Sequence, residues 1–207
     1  MEIRPLDLPG AWLCTPTQYA DDRGLFTEWF RDDHLVEATG RGFGIAQANL
    51  SVSRRGVLRG LHVADTPPGQ AKVVSCPSGA VLDVAVDVRV GSPTFGQVAS
   101  VVLDDADRRV LVLAEGLAHG FCALRDDTVV SYLVSSTYDP AAEHTVDALD
   151  PALPIDWPTD IGELIRSQRD VAAPTLEQAL GERILPSYAD CVAVYDAARR
   201  PGEPPRP

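Results

Sequence analysis

Between about residues 10 and 135 the chain alternates short apolar runs with clusters of turn formers. The runs are Ala11 to Thr15, Leu25 to Phe30, Ile45 to Val52, Val57 to Val63, Lys72 to Cys76, Ala80 to Val88, Val98 to Leu103, Val110 to Leu113 and Thr128 to Val134. Between them lie stretches such as Asp21-Asp22-Arg23-Gly24, Pro67-Pro68-Gly69, Pro77-Ser78-Gly79 and Gly91-Ser92-Pro93, which favour tight turns. A doubly wound parallel sheet would need long helical crossovers between strands, and none is spelled here. The pattern therefore predicts an all-β sandwich or barrel. In the run from Ala80 to Val88, alternation sets Asp83, Ala85 and Asp87 on one face, which predicts a polar face lining a cleft. Helical patterning is brief: Asp32 to Thr39, Thr175 to Gly181 just after Pro174, and Tyr188 to Ala198. The stretch 199–207 holds four prolines and no apolar residue, so a disordered tail is expected there. With no internal repeat and no linker, the expectation is one domain over residues 1–185, a helical extension over 186–198, and the tail.

Composition narrows the class further. A chain of 207 residues is long enough to bury a core without staples. The net charge of −12, with no Lys/Arg run, disfavours nucleic acid and anionic membrane surfaces. It leaves room for an anionic small molecule, because a recessed pocket sets its own local potential. Neither a basic, apolar leader nor a membrane-length apolar run is present, so a soluble, cytoplasmic protein is expected. Cys14, Cys76, Cys122 and Cys191 are widely spaced, without a Cys-x-x-Cys pair, and are read as reduced, mostly buried thiols.

The basic residues are uneven: 17 are arginine and Lys72 alone is lysine. Two of the four histidines, His62 and His119, stand in or beside expected strands that follow glycine-bearing turns. A lone strand histidine is more often structural than catalytic, so their context decides. A metal would need more than these two. Ala64 stands two positions after His62, and no glutamate lies between Asp65 and Lys72, so the donors for a tight site are missing and no metal is expected.

The context is specific. Gly56-Val57-Leu58-Arg59-Gly60-Leu61-His62, then Pro67-Pro68-Gly69-Gln70-Ala71-Lys72, the run from Asp83 to Gly96, and Ala118-His119-Gly120-Phe121 occur in that order. They are followed by Ser131-Tyr132, Tyr138-Asp139-Pro140 with Glu143, Leu149-Asp150-Pro151, Ile155-Asp156-Trp157-Pro158, and the Ser-x-x-Asp of Ser167 to Asp170. Together these blocks resemble the dTDP-4-dehydrorhamnose 3,5-epimerase family over roughly residues 10 to 180. The Arg-rich, Lys-poor composition and helical C-terminal extension look most like members that make deoxysugars for antibiotics.

The resemblance implies a cupin-type jelly roll, a homodimer, no cofactor and no metal, and a dTDP-4-keto-6-deoxyhexose as substrate. Hydrogens on C3 and C5 of such a sugar flank the C4 ketone. Removing either leaves an enolate with its charge on O4, and returning the proton to the other face inverts the carbon. That chemistry needs a base, an oxyanion donor and an acid across the ring. By resemblance, His62 is the base, Asp170 orients it, Tyr132 is the acid, and Lys72 faces O4 as a compact cation on a flexible stem. Arg59 and His119 would hold phosphate or sugar oxygens. Gln47, Ala48 and Asn49 would contact sugar or base, Tyr138 would stack on thymine, and Glu143 would accept a hydrogen bond from the nucleotide, with Arg169 beside it. Arg23, Phe26 and Glu28 match a segment that the family lends to the neighbouring subunit's site. The chain departs from the family pattern at Val63, Ala114, Arg169 and His144-Thr145. None of these removes base, acid or oxyanion donor, but they leave open whether C3, C5 or both are inverted. A keto-sugar isomerase and a non-catalytic sugar-nucleotide cupin are the competing readings on the same fold. The Arg-Gly-Leu-His to Gln-Ala-Lys block favours epimerisation over the first, and the joint presence of His62, Lys72 and Tyr132 weighs against the second.

Overall fold

Residues 1–199 are described in the structure, a computed structural model. Along the chain run β1 (Glu2–Pro5), β2 (Ala11–Thr15), β3 (Gln18–Asp21), β4 (Gly24–Thr27), α1 (Asp32–Thr39), β5 (Gln47–Ser53), β6 (Leu58–Ala64), β7 (Lys72–Ser78), β8 (Ala80–Asp87), β9 (Val98–Asp104), β10 (Val110–Leu113), β11 (Leu117–Ala123), β12 (Thr128–Val134) and β13 (Glu143–Thr145). Three helices follow: α2 (Gln168–Val171), α3 (Leu176–Glu182) and α4 (Tyr188–Ala197). Two antiparallel sheets form the cupin-type jelly roll. One has the order β1-β2-β10-β7-β12-β5, the other β13-β6-β11-β8-β9, and β3 with β4 makes a separate hairpin.

Period-2 alternation explains how one chain fills three apolar layers. Leu13, Val74, Val81, Ala85, Leu111, Leu113, Phe121 and Val130 point between the sheets. The alternate positions Val84, Val86 and Val88 of β8 and its exit, with Leu58 and Val63 of β6, face outward from the five-stranded sheet. They are covered by the later segment through Val146, Leu153, Leu176 and Ala179. On the outer side of the six-stranded sheet, Val73, Val110 and Val112 are covered by Leu35 of α1 and by Phe43, with Trp29 and Phe30 packed alongside. Each fully buried Val or Leu contributes about 1.5–3 kcal/mol. β5 lies at the edge of that sheet, and on its outer side Leu50 and Val52 remain exposed.

Several expectations need correction. The strand expected over Leu25 to Phe30 ends at Thr27, because Trp29 and Phe30 turn into the layer under α1 instead of continuing the hairpin. β11 was not among the strands read from the apolar runs, although it is fully buried: its sequence Leu-Ala-His-Gly-Phe-Cys-Ala lacks the β-branched residues that mark a strand. The face of β8 carrying Asp83 and Asp87 does not line an open cleft. Both carboxylates are completely buried, and Asp87 is consumed by Arg89, Ser92 and Thr94, which tie down the turn after β8. Of the expected tail, Arg199 is ordered and pairs with Arg41 in an isolated antiparallel bridge; residues 200–207 lie outside the described residues. All four cysteines are free and buried, and among the described residues no helix is long and apolar enough to cross a membrane.

Candidate active site

The mouth of the sandwich opens into a cleft of about 440 Å³ between the two sheets. On the five-stranded side, the motif Arg59-Gly60-Leu61-His62 contains a bulge. His62 pairs with His119 and Arg59 with Phe121, so three steps on β6 match two on β11. The extra residue resets the alternation and turns Arg59 and His62 into the same cleft. Only glycine fits at position 60. Its φ is +106°, and a Cβ there would lie 2.6 Å from the His119 carbonyl oxygen and 2.7 Å from the Gly120 Cα.

Two histidine–carboxylate pairs follow from this register. His62 Nε2 lies 2.8 Å from Asp170 Oδ1. Asp170 is supplied by α2, whose N-cap Ser167 accepts from the Asp170 backbone N–H and donates to its Oδ2 at 2.9 Å. Burial pushes the Asp170 carboxyl upward, but the hydrogen bonds from His62 and Ser167 together outweigh it and hold the group below the ordinary aspartate value. It is therefore an anion at neutral pH. His119 Nε2 lies 2.7 Å from Asp83 Oδ1 in deeper surroundings. Asp83 Oδ2 has no partner among the described residues.

Across the cleft, strand alternation on the six-stranded sheet supplies the opposite wall. Tyr132 of β12 is registered with Asn49 of β5 and Val74 of β7, and Val134 with Gln47 and Lys72. Period 2 thus aims Gln47, Asn49, Lys72 and Tyr132 inward. Gln47 and Asn49 bond each other at 2.7 Å, and Gln47 Oε1 accepts from the Tyr138 backbone N–H at 2.9 Å. The Lys72 residue is only 6% exposed. Burial pulls its ammonium down to about 8, opposed by the negative charges of Glu143 and Glu115. Burial, with Glu143 adding to it and Arg59 opposing it, raises the Tyr132 hydroxyl above the ordinary tyrosine value. That phenol is protonated at neutral pH. Arg169 binds Glu143 through Oε1 at 3.0 Å and the backbone carbonyl at 2.7 Å, and reaches Thr145 Oγ1 at 3.0 Å.

His62, Lys72, Tyr132, Asp170, Gln47, Asn49, Arg59, His119, Tyr138, Glu143 and Arg169 all line this one cleft. Ala48 does not: it faces the outer side of β5. Arg23, Phe26 and Glu28 lie on or just after the β3–β4 hairpin, outside the cleft of their own chain; Arg23 pairs with Asp21, and Glu28 stands 3.8 Å from Arg31. Ser51, Gln70 and Ser167 are lining residues that sequence reasoning passed over. Signals for them existed: Ser51 continues the alternation of Gln47 and Asn49, Gln70 stands two before Lys72, and Ser-x-x-Asp is a capping pattern. Asp83, the partner of His119, had been placed on a cleft-lining face and was not read as a histidine partner. Among the described residues no group of three or more His, Cys, Asp or Glu is arranged to hold a metal ion.

Comparison with known proteins gives a consistent picture. The family model described as dTDP-4-dehydrorhamnose 3,5-epimerase matches residues 5–178. A dTDP-4-dehydrorhamnose 3-epimerase of Streptomyces niveus is 53% identical over 202 residues, spanning 98% of this chain and 97% of that protein. A dTDP-4-dehydrorhamnose 3,5-epimerase of Mycolicibacterium smegmatis is 52% identical over 200 residues, spanning 97% and 98%. Among solved structures, a 3'-monoepimerase from Streptomyces bikiniensis, in complex with dTDP-quinovose, superposes with a TM-score of 0.90 at 47% identity. The match covers 94% of this chain and 98% of that one.

Proposed function

Because the chain belongs to the dTDP-4-dehydrorhamnose 3,5-epimerase family and is an epimerase acting on dTDP-linked sugars, we propose that it inverts C3, C5 or both of a dTDP-4-keto-6-deoxyhexose. His62 is the base, Lys72 the donor to O4 and Tyr132 the acid. The observation that carries this reading is the separation of His62 and Tyr132 onto opposite walls of one cleft. A base and an acid on the same side would exchange a proton without inverting the carbon.

In the forward step, His62 takes the proton from carbon, and the C–H electron pair moves into the ring as an enolate with its charge on O4. Asp170, held anionic by Ser167 and His62, aligns the imidazole and stabilises the imidazolium that results. Lys72 meets the charge on O4, where a desolvated cation is worth far more than in water. Tyr132 then delivers a proton to the opposite face, and solvent exchange returns both groups to their starting states. His119 and Arg59, on the wall of His62, hold sugar or phosphate oxygens; Arg suits bidentate phosphate contact. Gln47, Asn49, Tyr138, Glu143 and Arg169 frame the nucleotide end. No metal is assigned a role, since among the described residues no group of three or more His, Cys, Asp or Glu converges on a point that could hold one. A homodimer, in which Arg23, Phe26 and Glu28 reach the neighbouring site, is supported by the exposed Tyr19, Leu25 and Phe26 of the hairpin and by Leu50 and Val52 of β5.

The test is incubation with dTDP-4-keto-6-deoxyglucose in deuterated water, before and after exhaustive chelation. Deuterium should appear at C3, C5 or both, with inversion and with no dependence on chelator. The labelled carbon also separates a 3-epimerase from a double epimerase, the two activities for which the relatives are named. A product whose carbonyl has moved from C4, or a substrate that gains no label, would overturn the assignment.

A further inference from the structure

The buried pair Arg41–Glu115 lies behind the cleft wall and has no part in the proton transfers above. Arg41 Nη1 donates to Glu115 Oε2 and Nη2 donates to Oε1, and the side chains are only 9% and 3% exposed. A buried ion pair is a poor source of stability, because desolvating two ions offsets their attraction, and apolar residues of similar size usually serve as well or better. Its surroundings show what else it does. Glu115 lies two residues beyond Leu113, which is registered with Lys72. Its side chain packs against Gly69: a Cβ at that glycine would lie 2.6 Å from Glu115 Cγ. Ser135 and Ser136 grip the same short stretch from the other side, through Ala71 N to Ser135 Oγ at 2.8 Å and Ser136 Oγ to Gly69 O at 2.9 Å. The residues leading into Lys72 are thus clamped between Glu115 and the end of β12.

Arg41, in turn, is covered by the C-terminal helix. Its guanidinium sits 5.0 Å from the Tyr195 ring centroid, Tyr195 Oη donates to Thr39 O at 2.9 Å, and Arg199, just past α4, bridges to Arg41. Trp12 stacks on Tyr195 at 6.1 Å and 15°.

We propose that Arg41 and Glu115 are positioning residues for Lys72, sealed from water by Tyr195, so that α4 is a working part of the active site. The proposal rests on Lys72 acting at O4, as read above. Lys72 shares the cleft with His62, His119, Arg59, Tyr132 and the Glu143–Arg169 pair. Among these neighbours, the carboxylates that sustain its charge against burial are Glu143 and, from behind the wall, Glu115. Glu115 does this only while Arg41 holds its carboxylate in register with the Gly69–Lys72 stretch.

Lys72 is the sole lysine in the chain, so a protein labelled with 13Cε-lysine shows one lysine signal whose titration is read directly. In Arg41→Met/Glu115→Leu, which exchanges the pair for apolar volume, the melting temperature should be equal or higher. The Lys72 midpoint should nevertheless fall, and kcat should drop about tenfold with KM little changed. Tyr195→Ala should move the midpoint in the same direction by less. A folded double variant with the parental midpoint and kcat overturns the proposal; should that variant fail to fold, a parental midpoint in Tyr195→Ala overturns it. Lys72→Met separates the two readings: parental kcat there removes Lys72 from the chemistry, while the titrations still decide whether the pair holds its charge.

Discussion

The two walls of the cleft handle polar groups in opposite ways. On the five-stranded wall, His62 and His119 each bond a buried carboxylate, so the direction of each ring is fixed by Asp170 and Asp83. On the six-stranded wall, the side chains of Lys72 and Tyr132 have no hydrogen-bond partner among the described residues, and burial shifts the proton affinity of both. A base must be held at an angle to a C–H bond and must tolerate becoming a cation, and a fixed carboxylate does both. In the roles proposed for Lys72 and Tyr132, an oxyanion donor and an acid must spend their hydrogen bonds on the ligand. Leaving them unpartnered but dry keeps that capacity for the reacting oxygen and carbon.

The sharpest way to break this division is to remove one group from each wall. His62→Ala should abolish solvent exchange at every epimerisable carbon, because without a base no enolate forms. Tyr132→Phe leaves base and oxyanion donor in place, so deuterium should still enter from the original face with little inversion. Nuclear magnetic resonance of the product reads both outcomes at once. Exchange persisting in His62→Ala, or inversion persisting in Tyr132→Phe, would dissolve the contrast between the walls.

Lys72→Arg comes next in size. It keeps the charge and changes its shape, replacing a point donor with a planar fork. Loss of one well-placed oxyanion donor typically lowers kcat about 10²- to 10³-fold. Parental turnover would mean that any cation suffices at O4 and that the single lysine is an accident of composition.

These groups were legible to different degrees, for physical reasons. The all-β sandwich could be read because alternation and turn chemistry are local, whereas the jelly roll came with the motif resemblance; α1 and α4 were placed within one residue because their helical patterning is local too. His62, Tyr132, Lys72 and Asp170 came from motif resemblance, and the capping serine of Ser-x-x-Asp explains why that short motif delivers its aspartate at a fixed angle. What composition and spacing could not show were the partners made by packing across distant segments. Asp83 looked like a cleft-lining acid because alternation gives a face without telling whether that face is inside the sandwich or at its mouth. Arg41 and Glu115 are 74 positions apart and share no motif, so only the fold brings them together. β11 was missed because its strand character comes from burial between β6 and β8, not from β-propensity.

The smallest effect expected here concerns stability, and it sharpens the contrast from the folded state's side. A cation held without a hydrogen-bond partner in a dry wall costs folding free energy, whereas the hydrogen bonds to Asp170 on the other wall favour its ionised form. The Lys72 ammonium falls from 10.5 to about 8 on folding. Between those values the unfolded chain binds more protons than the folded one, so the penalty is fully present below pH 8 and fades as pH rises toward 10.5. The shift corresponds to a penalty on the order of 3 kcal/mol. Lys72→Met, an apolar side chain of similar length, should therefore be more stable than the parent at pH 7, with the gap narrowing toward pH 10. Urea unfolding of both proteins across that range measures it directly. A gap that stays constant with pH would show that Lys72 is not desolvated in the folded protein, and a parent more stable than the variant at pH 7 would mean that the lysine has a partner in solution after all.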